Sequence, residues 1–264
     1  MLFPYSSGNL VINGENDFES RGFTDGYEAD YISVQCLRQT RGKKNLEKLL
    51  QIAPFVHASL GVICMVSGIL ALTAKKSKGR HPTAGRVFAV SLTLAFAAIL
   101  LNIVVRKNVF MLGMGSLAVY TGIEGWRALL RFKGNLAPEP TAFDYLLGGT
   151  TALLSVGLIA FGVRIFVSSN NAMGFVCVGF GLLGVFLLRG TWQRWKAPPT
   201  KQRWLEVHIG MMLGAFSAAV TAFLAVQFSG HLGGFEWVVW VAPTLIISRY
   251  GAYETKRRGL EQGQ

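Results

Sequence analysis

Apolar residues come in long blocks along this chain, and they do not alternate with polar ones. Stretches at 52–74, 83–105, 109–130, 144–168, 172–190, 205–228 and 235–249 are almost continuously apolar and are separated by short polar or basic segments. A membrane barrel strand alternates in character over about ten residues, whereas a helix needs about 20 apolar residues to cross roughly 30 Å of hydrocarbon. Lipid offers the backbone no hydrogen-bond partner, so blocks of this length read as helices that satisfy their own main chain. The pattern predicts an all-α polytopic transmembrane bundle of about seven spans, the fifth and seventh being the shortest. Residues 1–50 precede it as a polar segment, read as a flexible tail in which Asn45 to Leu50 lead helically into the first span. Residues 51–250 form the bundle, and 251–264 a basic C-terminal tail.

Charge supports this reading. Only 15% of the 264 residues are Asp, Glu, Lys or Arg while 51% are hydrophobic, too little charge to clothe a water-soluble surface of this size. Lys and Arg exceed Asp and Glu by 26 to 14, but they cluster at the ends of apolar blocks and form no stripe with interleaved stacking aromatics. Lipid headgroups, not nucleic acid, are the anionic partner this implies. With the N-terminus outside, the inside segments collect Lys75, Lys76, Lys78, Arg80, Arg86, Arg127, Arg131, Lys133, Arg189, Arg194, Lys196, Lys201, Arg203, Arg249, Lys256, Arg257 and Arg258. Against them stand Arg106, Lys107, Arg164 and the basic residues of the N-terminal segment. The loops outvote the tail and predict a multi-pass protein of a bacterial cytoplasmic membrane, N-terminus outside and C-terminus cytoplasmic. Trp126, Trp192, Trp195 and Trp204 fall near inside ends and Trp237 and Trp240 near an outside end, as amphipathic rings prefer. Glycines such as Gly179, Gly181, Gly184, Gly210 and Gly214 suit close helix packing in lipid.

The candidate chemistry lies in few residues. Four histidines occur, and the topology sorts them into two pairs: His57 with His231 toward the outside, His81 with His208 toward the inside. Paired imidazoles on neighbouring helices are what a six-coordinate b-type haem requires, and one pair near each face would give an electron path across the membrane, with a quinone or another redox partner at its end. Gly61, Gly210 and Gly214 would leave room for a flat macrocycle. His208 and His231 are 23 residues apart, about 34 Å along a helix, which puts His231 in the interface. The same residues would serve a copper or zinc ion or a proton relay, and four interfacial histidines without a ligand remain the plain alternative.

Glu124 is the deepest acidic residue, and Arg127 three positions on can share its helix face. The pair reads either as an ion pair near the inner interface or as a polar path for a transported solute or ion. Asp144 opens the fourth block, where a carboxylate suits a helix N-terminus. Cys36, Cys64 and Cys177 have no metal-binding spacing and read as small hydrophobes. No Walker loop, dinucleotide glycine fingerprint, G-x-S-x-G elbow or H-E-x-x-H pair is present. A non-catalytic membrane scaffold is the third reading.

Several linked segments carry a resemblance: His57-Ala-Ser-Leu-Gly61, Lys78-Gly-Arg-His81-Pro-Thr-Ala-Gly85-Arg86-Val-Phe88, Tyr120-Thr-Gly-Ile-Glu-Gly125-Trp126-Arg127, and Trp204-Leu-Glu-Val-His208-Ile-Gly-Met-Met-Leu-Gly214 followed by Thr221-Ala-Phe223. In this order they resemble a family of uncharacterised bacterial polytopic membrane proteins, a domain of unknown function, over roughly residues 52–250. That resemblance implies membrane location and fold, with no activity attached. The general layout is also similar to transmembrane b-type cytochromes, which is analogy of architecture alone.

Overall fold

In a computed structural model of the chain, the described residues form seven helices in chain order: α1 Gly26–Thr73, α2 Arg80–Val105, α3 Val109–Lys133, α4 Ala142–Ser169, α5 Met173–Lys196, α6 Lys201–Phe228 and α7 Glu236–Arg257. The structure describes residues 26–75, 79–169, 173–228, 231 and 236–257, with side chains from 43 onward except at 169 and 236. No strand occurs among the described residues. The chain divides into the units Met1–Ile52 and Ala53–Gln264. The described part of the first is the beginning of α1, so helix starts within the segment that sequence reads as a tail; residues 1–25 lie outside the described residues, as do 258–264 of the C-terminal tail. The second unit carries every residue discussed below.

Among the described residues, five helices are long and apolar enough to cross a bilayer: Lys43–Thr73 of α1, α2, Ala142–Ser168 of α4, α5 and α6. Their outward side chains agree, since Phe55, Leu153, Val167 and Phe186 are each more than 70% exposed, an arrangement that water would penalise and lipid favours. The fifth sequence block, read as short, lies in a full 24-residue helix. The seventh helix runs on to Arg257, eight residues beyond the end of its apolar block. α3 falls outside the apolar set for a packing reason. It holds twelve buried residues, six of them glycine, alanine or threonine and one of them Glu124, because its neighbours on most sides are other helices and not lipid.

The chain runs up and down. His57 on α1 bonds the carbonyl of Ala95 on α2, and His81 on α2 bonds that of Ala71 on α1, so fourteen residues of one helix oppose fourteen of the other in a single antiparallel register. α3 meets α6 where Gly125 faces Met211 and Met212, and α6 meets α7 through Ser217 Oγ donating to Thr244 Oγ1 at 3.1 Å. α4 and α5 approach through Gly162, Gly174 and Gly181. A Cβ on Gly181 would stand 2.8 Å from the Ser155 carbonyl, so only glycine allows this approach. One cluster gathers Cys64, Phe88, Leu92, Ala118, Ala215 and Phe216 from α1, α2, α3 and α6. A second gathers Phe110, Met114, Leu158, Cys177, Ala225, Val239 and Trp240. The starts of α2, α4 and α6 and the ends of α1, α3, α5 and α7 share one end of the bundle, called here the basic end for the Lys and Arg residues it collects.

Candidate functional site: histidines and buried charge at the basic end

α2 and α6 leave the basic end in parallel, and each carries a histidine near its start. Two turns further, Phe88 and Phe216 meet edge to face with centroids 6.1 Å apart, which sets His81, seven residues before the first, level with His208, eight before the second. Both imidazoles are anchored. Nδ1–H of His81 donates to the Ala71 carbonyl at 2.8 Å, and Nδ1–H of His208 donates to the Gly125 carbonyl at 2.8 Å. A carbonyl oxygen only accepts, so Nδ1 carries the proton, and in the neutral ring Nε2 is the lone-pair nitrogen. This is the anchoring that histidine ligands commonly have in metal and haem proteins, where the second nitrogen fixes tautomer and ring direction.

His57 is held the same way, Nδ1–H to the Ala95 carbonyl at 2.9 Å, but the expected outer pair is not assembled. Through Ala95 and the Phe88–Phe216 contact, His57 stands roughly level with Phe223. Through Gly68, whose Cβ position lies beside Phe216, it stands roughly level with Gln227. His231 follows both, in a turn beyond the end of α6 where its N–H donates to the Phe228 carbonyl, and it is exposed. It is therefore one to two turns further out than His57. Of the glycines expected to leave room for a macrocycle, Gly61 on the helix of His57 has no atom within 4 Å of its Cβ position. Gly214 faces Thr121 of α3, and Gly210 opens into a cavity on the side of α6 away from His208. Gly85, one turn beyond His81 on the same helix face, has no atom within 4 Å of its Cβ position.

The buried charges pair across helices, which corrects the expected Glu124–Arg127 pair. Glu124, 2% exposed, accepts from Arg194 Nη2 of α5 at 3.3 Å, and the same Nη2 reaches Thr191 Oγ1 at 2.6 Å. Tyr120 closes this set through its hydroxyl contact with Thr191 at 2.6 Å. Arg127 instead makes a two-pronged bond to Asp144 of α4, Nε to Oδ1 and Nη2 to Oδ2, both at 2.6 Å. Arg131 adds a third bond to Oδ2 at 3.0 Å, with its side chain fully buried and stacked on Trp204 at 5.0 Å. Glu124, Arg127 and Arg131 share one side of α3, and the partners divide them: Glu124 bonds Arg194 of α5, while Arg127 and Arg131, one turn apart, both bond Asp144 of α4.

Asp144 does more than favour the positive end of its helix. Oδ2 also accepts from the main-chain N–H of Thr141 at 2.7 Å, the return bond of a capping box. The spacing Thr141-x-x-Asp144 carries that signal in the sequence. Nothing comparable marks Arg194, which reads as one more cation at the end of an apolar block, because a pairing over seventy residues has no local signature. Among the described residues no three His, Cys, Asp or Glu side chains come together as a metal cage, so a metal at this end would rest on the two imidazoles and on groups the ligand brings.

No protein-family model, curated protein or solved structure matches this chain.

Proposed function

We propose that this integral membrane protein carries a single redox centre, a b-type haem, between His81 and His208 at the basic end, and that it passes electrons at that face of the membrane. The observation that supports the reading is the anchoring of both rings at Nδ1 by main-chain carbonyls of α1 and α3, which fixes the tautomer and direction of each neutral ring. The open space beside Gly85 and the level placement of the two helices support it. When bound, such a group supplies one-electron chemistry. The chain supplies ring orientation, an apolar wall of Phe88, Phe216 and Met212, and exclusion of water. The charge pattern of the loops puts this end on the cytoplasmic side, and the resemblance to the uncharacterised polytopic family and to the layout of b-type cytochromes fits the same picture. A transport path through Glu124 and Arg127 gains no support, since each is spent on a partner from another helix.

The test is an absorption spectrum of the purified protein from haem-replete cells, oxidised and dithionite-reduced, with metal analysis of the same sample. A Soret band and a sharpened reduced α band are expected. Both should disappear in His81→Ala and His208→Ala and persist in His57→Ala and His231→Ala. A folded, colourless and metal-free protein would overturn the reading, and loss of colour in His231→Ala would restore the two-pair arrangement.

A further inference from the structure

Where α5 ends and α6 begins, the chain borders an open hollow of about 520 Å³ whose walls include Gly190, Gln193, Arg194, Arg203 and Glu206. The volume falls within the range of about 300–1,000 Å³ usual for small-molecule sites. Arg194 spends Nη2 on Glu124 and Thr191, and its Nε is sealed inside the bundle. Its Nη1 differs from both: it has no hydrogen-bond partner among the described residues and is not sealed. That nitrogen lies 3.4 Å from the Cβ position of Gly190, so it stands at the wall that Gly190 and Arg194 share. Arg203 bonds Glu206 through Nη1 while its side chain is 52% exposed, which leaves the rest of a five-donor fork for another acceptor. Gln193 is exposed and adds an amide donor.

The local charge favours an anion. Residues 189–203 carry Arg189, Arg194, Lys196, Lys201 and Arg203, against which stand Glu206 and, from α3, Glu124. Lys196 lies over the ring of Trp192 and Lys201 over that of Phe132, and neither they nor Arg189 have a carboxylate partner among the described residues, so three cations are in excess. Glu139, Asp144 and Glu254, the other described carboxylates of this end, are outnumbered by Arg127, Arg131, Lys133, Arg249, Lys256 and Arg257 around them. Guanidinium groups in a positive field suit a phosphate. The neighbouring surface says where that phosphate comes from. Gly190 and Gln193 continue, at helical spacing, a stripe of α5 that runs back through Phe186 and Leu182, which are 71% and 55% exposed. Trp192 beside it is half exposed, as suits a ring at headgroup depth. From the Nη1 donor, the cationic excess and this stripe, we infer that the hollow binds the phosphate headgroup of an anionic phospholipid in the leaflet at the basic end, with an acyl chain along Phe186 and Leu182. Head and tail then each meet their own medium, and the site is independent of any redox centre.

The experiment mixes the full chain, delipidated in a neutral detergent, with equal amounts of dioleoyl phosphatidylglycerol and dioleoyl phosphatidylcholine, and counts retained lipid by native mass spectrometry. Retention of one phosphatidylglycerol per chain is expected, severalfold above phosphatidylcholine and weakened by added salt. Gln193→Glu puts a carboxylate into the hollow; the side chain is exposed, so the melting temperature should match the parent while the preference is lost. Arg106→Gln lowers the net charge by the same amount at the opposite end of the bundle and should keep the preference. Glycerol phosphate at the lipid's concentration distinguishes a soluble phosphate from a lipid-borne one and should not displace the lipid. Equal retention of the two lipids, a preference unchanged in Gln193→Glu, loss in both variants, or displacement by glycerol phosphate would each overturn the assignment. A phosphatidylglycerol with a photoreactive acyl chain should label α5 between Leu182 and Phe186, and labelling confined to other helices would overturn it as well.

Discussion

At Asp144 one carboxylate accepts from two arginines, a main-chain amide and the Thr141 hydroxyl. Its side chain is 1% exposed and that of Arg131 is fully enclosed, so neither can turn to water if the other is removed. Asp144→Asn keeps the shape and deletes the charge, leaving two guanidinium groups with no counter-ion. Removing one partner of a buried pair costs about 3–5 kcal/mol. The expected outcome is a drop in the detergent melting temperature larger than that of Arg203→Ala, whose side chain is half exposed and whose pair with Glu206 is worth about 0–1 kcal/mol. Comparable melting of the two variants would show that the cluster is hydrated. This residue also shows where reading stops. The capping role of Asp144 is visible in Thr141-x-x-Asp144, but its second and third duties depend on which face of α3 turns toward α4. A carboxylate and an arginine three apart look like a pair until a third helix competes for each.

Helix packing here is decided by glycines that alternate in purpose. Gly181 and Gly179 are two residues apart on α5, yet a Cβ on the first would strike the Ser155 main chain and Ile159, while the second meets nothing within 4 Å. Gly181→Ala should therefore destabilise by about 1–3 kcal/mol, the cost of overpacking a close approach. Gly179→Ala should lie within about 0.5 kcal/mol of the parent, as for a substitution that touches nothing. Urea or thermal unfolding in detergent reads both, and equal effects would mean that α4 and α5 are not held backbone to backbone. The glycine richness of these blocks was plain from sequence, and so was helix as their state. Which glycine carries the contact was not, since 3.6 residues per turn rotates neighbours to opposite sides without changing composition. The tryptophans divide in the same way. Trp192 and Trp237 are half exposed, in keeping with an interfacial belt, whereas Trp204 and Trp240 are buried against Arg131 and Phe110.

For the whole molecule, polarity is concentrated at one end. His81, His208 and both buried ion clusters are at the basic end, and the opposite end contributes His57 and His231. The number and order of the helices could be read from apolar blocks because lipid imposes length and periodicity directly. The site could be read only as residue types, because its assembly depends on α2, α3, α5 and α6 meeting, and such contacts leave no spacing rule. The loop charges predict the basic end inside. A reporter fused after Lys133 should be active as a cytoplasmic fusion, and one fused after His231 as a periplasmic fusion; the inverse result would place the proposed centre on the outer face.

α3 carries a consequence for how the protein is made. Like α7, it falls outside the set of helices apolar enough to cross on their own, and it holds Glu124, whose counter-ion Arg194 is seventy residues downstream. At about 5–20 residues per second of synthesis, that partner emerges several seconds after the carboxylate. During this interval α3 has the later helices neither as neighbours nor as neutralising charge. Stable seating of α3 in the bilayer is therefore expected to wait for α4 and α5, which, like α1 and α2, are apolar enough to cross by themselves.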